Sequence, residues 1–264
     1  MKAFGELVKE SFPVEEAGEK TCEECGDSYK LYKTPRGVLG TCKTCSNREV
    51  LKKFNIPTPE EYRKGKELHF IASFERVPHD LKAATVNSYQ PNNDSQIKAK
   101  QAAIQYVKEF DGYKSMTLAG TPGLGKSHLA YAISKAIKDK KQKSLFIKVT
   151  DLFDHIKSTY SHHSNITEEQ IFTMINNLDL LVLDDIGSEY VKSNDTGHET
   201  WASDVLYKIF DMRLTKATVC TTNYSESELI KKYGNNGPRI MSRMMNNAVG
   251  IRLEGEDHRR KERF

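Results

Sequence analysis

No stretch of this 264-residue chain approaches the roughly 20 consecutive apolar residues that a helix needs to cross a bilayer, so no membrane partner is expected. The opening residues 1–20 are mixed in charge and lack the apolar run of a secretory signal, so the expected location is the cytoplasm. There is no internal repeat and no long low-complexity tract. Neither sign of charge prevails: 40 Lys and Arg against 36 Asp and Glu leave a net charge of +4, too small to mark a partner. Cysteine is scarce, with five residues, and four of the five stand as two CxxC pairs. In a chain without a secretion signal, such pairs point to metal ligands rather than disulfides.

What is present is a charge-rich composition that still buries a core, 38% hydrophobic and 29% charged. The length suits one medium α/β domain and a small accessory module. The charge is unevenly spread. Between Lys20 and Lys66 there are 11 Lys or Arg against 6 Asp or Glu. That excess suits contact with nucleic acid or an acidic protein surface, and equally a solvated face. The expected organisation is an N-terminal arm and cysteine module over 1–46, a linker over 47–73 with Pro57 and Pro59 as breakers, and an α/β domain over 74–264.

Hydrophobic periodicity over that last region predicts helices at 95–110, 126–138, 151–160, 167–178, 199–214, 225–233 and 238–246. Strands are predicted at 115–119, 144–149, 180–183, 217–221 and 249–253. Strands alternating with helices imply a parallel sheet covered on both faces.

The run Gly120-Thr121-Pro122-Gly123-Leu124-Gly125-Lys126-Ser127 matches GxxxxGK[ST] between a strand and a helix. Its glycines let backbone N–H groups turn inward around a phosphate, and the following helix adds its positive N-terminal end. Lys126 is placed to reach the β and γ phosphates, and Ser127 to ligate Mg²⁺. About 60 residues on, Asp184 and Asp185 close an apolar strand. Ligands gather at such strand ends, so Asp184 is expected on the Mg²⁺ side, with Asp185 polarising the attacking water. At the end of the next strand, Asn223 either meets the γ-phosphate or the attacking water, or caps the helix starting near Ser225. Cys220 in that strand is a small core residue.

Cys22, Cys25, Cys42 and Cys45 fit the CxxC…CxxC spacing of a four-thiolate zinc site, with 16 residues between the pairs. Residues 29–32 and 37–40 suggest a short hairpin, as in a zinc ribbon. A core this small needs the metal to fold.

The strings GTPGLGKSHLAYAI, LLVLDDIGSE, TTNYSESEL and RIMSRM resemble the DnaC/DnaI replicative helicase loaders and their IstB relatives, AAA+ ATPases of the initiator clade. The resemblance covers the chain from about Phe74 and is closer to DnaI-like loaders, phage-encoded ones included. It implies an AAA+ P-loop fold with an abbreviated lid. It makes Lys126 and Ser127 the Walker A pair, Asp184 and Asp185 Walker B, and Asn223 sensor 1. Arg243 is then the arginine finger that reaches a neighbouring subunit's ATP, and Arg259 or Arg260 is sensor 2. Asp stands at the second Walker B position where many relatives have Glu, which implies slow hydrolysis. The stretch from Val149 to Asp179 corresponds to an insertion that touches single-stranded DNA, and it holds Lys157, Tyr160, His162 and His163. The implied function is an ATP-dependent loader that binds a replicative helicase, self-assembles through its ATP sites and delivers the helicase onto single-stranded DNA. An IstB-like transposition ATPase and a weakly hydrolysing nucleotide-binding adaptor are the alternatives. Whether the cysteine module contacts protein or DNA stays open.

Overall fold

Strand β2, Ser28–Thr34, lies between two antiparallel neighbours, β1 (Glu15–Thr21) and β3 (Gly37–Leu39). This is the start of the computed structural model of the protein, which describes residues 15–161, 164–190 and 200–258. The expected hairpin is β2–β3, with Tyr32 opposite Leu39 and Thr34 opposite Gly37. The third strand, β1, was not expected, because Glu15–Thr21 carries no alternating apolar residues. It is held by the antiparallel backbone ladder to β2, with exposed charge pairs beside it in which Lys30 donates to Glu16 and Lys33 to Glu15. Helix α1, Lys43–Lys53, follows.

The described residues fall into two compact units divided between Lys66 and Glu67. The stretch expected as a linker, 47–73, is largely helical: it holds the end of α1 and most of α2, Pro59–Phe74. Pro59 begins α2 rather than breaking it, which suits a residue with no N–H to lose in a first helical turn. In the second unit, the last turns of α2 bury Phe70, Ile71 and Phe74.

The second unit is a five-stranded parallel sheet in the order β5-β6-β7-β4-β8. The strands are β4 (Ser115–Ala119), β5 (Ser144–Lys148), β6 (Leu180–Ile186), β7 (Ala217–Thr222) and β8 (Ala248–Arg252). The helices are α3 (Asp94–Lys108), α4 (Lys126–Asp139), α5 (Val149–Ser158), α6 (Glu168–Asn176), α7 (Trp201–Met212), α8 (Glu226–Tyr233) and α9 (Gly237–Met244). The inner strands β6, β7 and β4 are buried on both faces, as a sheet with helices on each side requires. Alternation along one strand sends side chains to two different cores. Leu145, Ile147, Leu181 and Leu183 join α2, α5, α6, α7, α8 and α9. Phe146, Leu180 and Val182 join α3 and α4. Each fully buried Leu or Ile contributes about 1.5–3 kcal/mol.

The first strand of this sheet, β4, sits inside it, with β7 on one side and β8 on the other. The order therefore reverses at β4, and the crevice of an open α/β sheet lies at such a switch point, outside the C-terminal strand ends. After β8 the described residues are Leu253–His258. No described helix is long and apolar enough to cross a membrane.

Candidate functional site

The segment 120–127 links β4 to α4 where the strand order reverses. Gly120, Gly123 and Gly125 all have positive φ, and each also lacks room for a side chain. A Cβ on Gly120 would lie 2.2 Å from the Leu253 carbonyl oxygen, and one on Gly125 would lie 2.5 Å from the Tyr89 ring. The Tyr89 hydroxyl donates to the Leu124 carbonyl at 2.8 Å and fixes the loop from outside. Leu253 N–H donates to Ala119, and His258 N–H to Gly123 at 3.2 Å, so residues 253–258 brace the loop from the other side. Lys126 is almost fully buried and donates to the Gly120 and Thr121 carbonyls, both at 2.7 Å.

The loop opens on a cavity of about 550 Å³. Lys126, Ser127, Asp184, Asp185 and Asn223 all line it, so five residues from three separated sequence strings converge as expected. β6 and β7 fall out of register between Leu183 and Ile186: two residues, Asp184 and Asp185, stand opposite one, Thr221. That bulge aims both carboxylates. Asp184 is 1% exposed and accepts from Thr221 Oγ1 at 2.7 Å. Burial pushes its carboxyl up, while the Thr221 and Ser127 hydroxyls pull it down. Asp185 takes the left-handed φ of 62°, an uncommon conformation for a residue with a side chain, and its N–H donates to Thr221 Oγ1 at 2.8 Å. Asn223 Nδ2 donates to Asp185 Oδ1 at 2.8 Å. The alternative role for Asn223 falls to its neighbour: Ser225 caps α8 in a capping box with Glu228.

Several lining residues were not foreseen. Lys148 ends β5 directly opposite Asp184, and Thr221 is the penultimate residue of β7, so the rule that ligands gather at the C-terminal ends of parallel strands points to both. Pro78, Asp80, Ser88 and Gln90 come from the segment before the loop, where no motif marks them.

Arg239 and Arg243 share one face of α9, as their four-residue spacing predicts. Neither lines this chain's own cavity. Both guanidinium groups lie over the Tyr207 ring of α7, at 4.1 and 4.5 Å. Arg243 Nε donates to Asp211 at 2.6 Å. Near the end of α5, Tyr160 donates to Glu168 at 2.7 Å and accepts from the Trp201 indole at 3.0 Å, and Lys157 lies 5.1 Å over the Trp201 ring. His162, His163, Arg259 and Arg260 lie outside the described residues.

In the first unit, Cys22 and Cys25 flank the β1–β2 turn, while Cys42 and Cys45 begin α1. All four sulfurs lie within 4.8 Å of one another. Cys22 and Cys45 are 3.6 Å apart, and Cys25 and Cys42 are 3.4 Å apart. These distances exclude disulfides, whose sulfurs are about 2 Å apart. They approach the roughly 3.8 Å edge of a tetrahedron with metal–sulfur distances of about 2.3 Å. Backbone N–H groups at Cys25 and Glu24 lower the Cys22 thiol, while the neighbouring Cys22 and Cys25 sulfurs raise the Cys45 thiol, as crowding of four sulfurs with no cation among them requires. The donor set therefore fits a metal ion.

A parallel sheet with its phosphate loop at the switch point, facing two carboxylates and an asparagine, defines a nucleotide-binding protein of the AAA+ P-loop class. Residues 60–264 match the family of IstB-like ATP binding proteins, and the chain belongs to that family. It is 27% identical over 267 residues to the replicative helicase loader DnaC of Escherichia coli (strain K12), covering 98% of this chain and 97% of that one. It is 24% identical over 255 residues to the replicative helicase loader DnaI of Bacillus subtilis (strain 168), covering 91% and 79%. The expected lean toward DnaI-like members is not seen, since identity to DnaC is slightly the higher. A crystal structure of the DnaC helicase loader superposes with a TM-score of 0.58 at 26% identity, covering 67% of this chain and all of that one. DnaA of Aquifex aeolicus bound to AMPPCP, at a TM-score of 0.52 and 17% identity over 66% of this chain and 51% of that one, shares the fold.

Proposed function

We propose that this chain is an ATP-dependent loader that binds a replicative DNA helicase and delivers it onto single-stranded DNA at the start of replication. One observation carries the reading: similarity to named helicase loaders runs along nearly the whole chain, cysteine module included, and not only through the nucleotide site. In this reading Lys126 and the loop N–H groups hold the ATP phosphates, and Ser127 and Asp184 hold Mg²⁺. Asp185 and Asn223, already hydrogen-bonded to each other, orient the attacking water. The bound Mg²⁺ would neutralise charge developing on the phosphates. Cys22, Cys25, Cys42 and Cys45 hold Zn²⁺. Arg243 acts on the ATP of a neighbouring copy, which fits its place away from its own cavity. Hydrolysis is then slow and stimulated by assembly. Lys157 and Tyr160, at the end of α5, contact single-stranded DNA.

The test is capture of a purified ring-shaped replicative helicase by the tagged full chain, followed by helicase transfer to a circular single-stranded template in ATP. Stable capture and ATP-dependent transfer are expected. Capture of a transposase instead, with assembly on duplex DNA, would move the assignment to the transposition ATPases that share the family. Capture with no turnover of ATP at any protein concentration would leave a nucleotide-binding adaptor.

A further inference from the structure

Two arginines share one face of α9, yet their own chain treats them differently. Arg239 spends both terminal nitrogens on it: Nη1 donates to Asn236 at 3.3 Å and Nη2 to the Tyr207 hydroxyl at 2.8 Å. Arg243 is held only at its inner nitrogen, Nε, by Asp211 Oδ1 at 2.6 Å. Among the described residues, its two terminal nitrogens make no hydrogen bond. Those two are the edge of a guanidinium that matches a pair of phosphate oxygens. The Tyr207 ring, 4.5 Å away, fixes the plane in which that edge lies. Arg239 holds the Tyr207 hydroxyl and stacks on the same ring at 4.1 Å.

We propose that Tyr207 and Asp211 are positioning residues that set Arg243 in advance for the ATP phosphates of a neighbouring copy, and that Arg239 is a prop for Tyr207 rather than a second finger. This rests on the reading of Arg243 as acting in trans. A flexible arginine gives up several rotatable bonds when it engages a phosphate; one already clamped at Nε and stacked on a ring has lost most of that freedom beforehand. Asp211 also keeps a full positive charge in place until the phosphate arrives, without occupying the nitrogens that meet it. All four side chains come from α7 and α9, two helices packed in the same core, so the clamp is built into the fold rather than into a loop.

The measurement is ATP turnover against protein concentration for the full chain, with assembly followed by sizing. Asp211→Asn and Tyr207→Leu are each expected to lower turnover by about 10- to 100-fold in the assembled state, with KM for ATP holding, since misplacement of a reacting group costs rate rather than substrate affinity. Tyr207→Phe keeps the ring and should recover most of the turnover that Tyr207→Leu loses. A mixture locates the effect. Arg243→Ala copies supply an intact phosphate loop and no finger; Lys126→Ala copies supply a finger and no working loop. Mixed activity should fall when Asp211→Asn is carried by the Lys126→Ala copies, which donate the finger. An equal fall from either side, or wild-type turnover in both Asp211→Asn and Tyr207→Leu, overturns the positioning role. Full activity of Arg243→Ala by itself overturns instead the in-trans reading on which the proposal stands.

Discussion

Lys126 illustrates how a residue can be legible in sequence while its resting geometry is not. The motif places it at the phosphates; the structure shows it turned onto the Gly120 and Thr121 carbonyls. An incoming phosphate offers the ammonium a stronger, charged partner. Lys126→Ala removes that ammonium from a loop whose shape rests on its glycines, Tyr89 and Leu253. We expect ATP affinity to fall at least tenfold by titration calorimetry while the thermal midpoint without nucleotide moves little. Unaltered ATP affinity would remove the phosphate role. Asp185 was legible as a carboxylate at a strand end, but its left-handed backbone was not, because it arises from pairing across to Thr221, a residue far away in sequence. A different residue gives the pH dependence. His155 stacks on Phe74 at 4.2 Å, and its Nε2 is buried with no partner among the described residues. Burial first, and then the charge of Arg76, lower its tendency to take a proton, against the pull of Asp151 and Asp154. A His lowered on folding is neutral in both states at high pH. As pH falls below the ordinary value of 6.5, the unfolded chain takes up a proton that the folded chain resists. Stability should therefore decline with acidity from that point downward until the folded imidazole also protonates. His155→Phe should flatten part of that decline in urea unfolding between pH 7.5 and pH 5.5; identical slopes would remove His155 as a cause.

Elements were recovered where hydrophobic periodicity was strong and missed where charge did the work. The five strands of the parallel sheet were all foreseen: four leave buried apolar runs such as 180–183, and the exposed edge strand β8 keeps the β-branched Val249 and Ile251. β6 runs on to Ile186 because the bulge keeps the aspartates within the ladder, a tertiary effect that apolar counting cannot see. α2 was hidden by its polar first half, whose apolar partners begin only at Phe70. β1 was hidden because its exposed Glu and Lys side chains leave no apolar face to read. In the first unit, Cys42 is the only buried residue among those described up to Lys66. Three short strands and α1 bury almost no apolar surface against chain entropy, and a metal ion held by the four thiolates would supply the missing cohesion. We expect one zinc ion per chain by metal analysis. Chelation, or Cys22→Ser, should unfold this unit and abolish helicase capture while ATP still binds, since the second unit has two cores of its own. Metal-free protein with four freely reactive thiols and intact helicase capture would count against the zinc assignment.

Across the whole molecule, the formal charge of +4 says little about the surface proposed to meet single-stranded DNA. Lys157 and Tyr160 stand together at the C-terminal end of α5, Tyr160 exposed and backed by the Trp201 indole. Single-stranded DNA should bind with a salt dependence set by the phosphates neutralised, about −0.7 per phosphate on a log–log plot. Replacing Lys157 and Tyr160 together by Ala should weaken binding by about tenfold or more, the scale of one lost stacking contact and one lost charge. Binding that ignores both salt and this pair would place the DNA elsewhere. The braced phosphate loop carries one further consequence, and it concerns the order in which the protein is made. Residues 120–127 leave the ribosome early, but the backbone that supports them, β8 beside β4 and the segment 253–258 beneath Gly120 and Gly123, comes more than a hundred residues later. A nascent chain that already displays the whole phosphate-binding string therefore lacks the floor on which it rests. Nucleotide capture therefore waits on residues far along the chain: until β8 and the segment 253–258 have been made and have folded against the loop, the pocket is not formed.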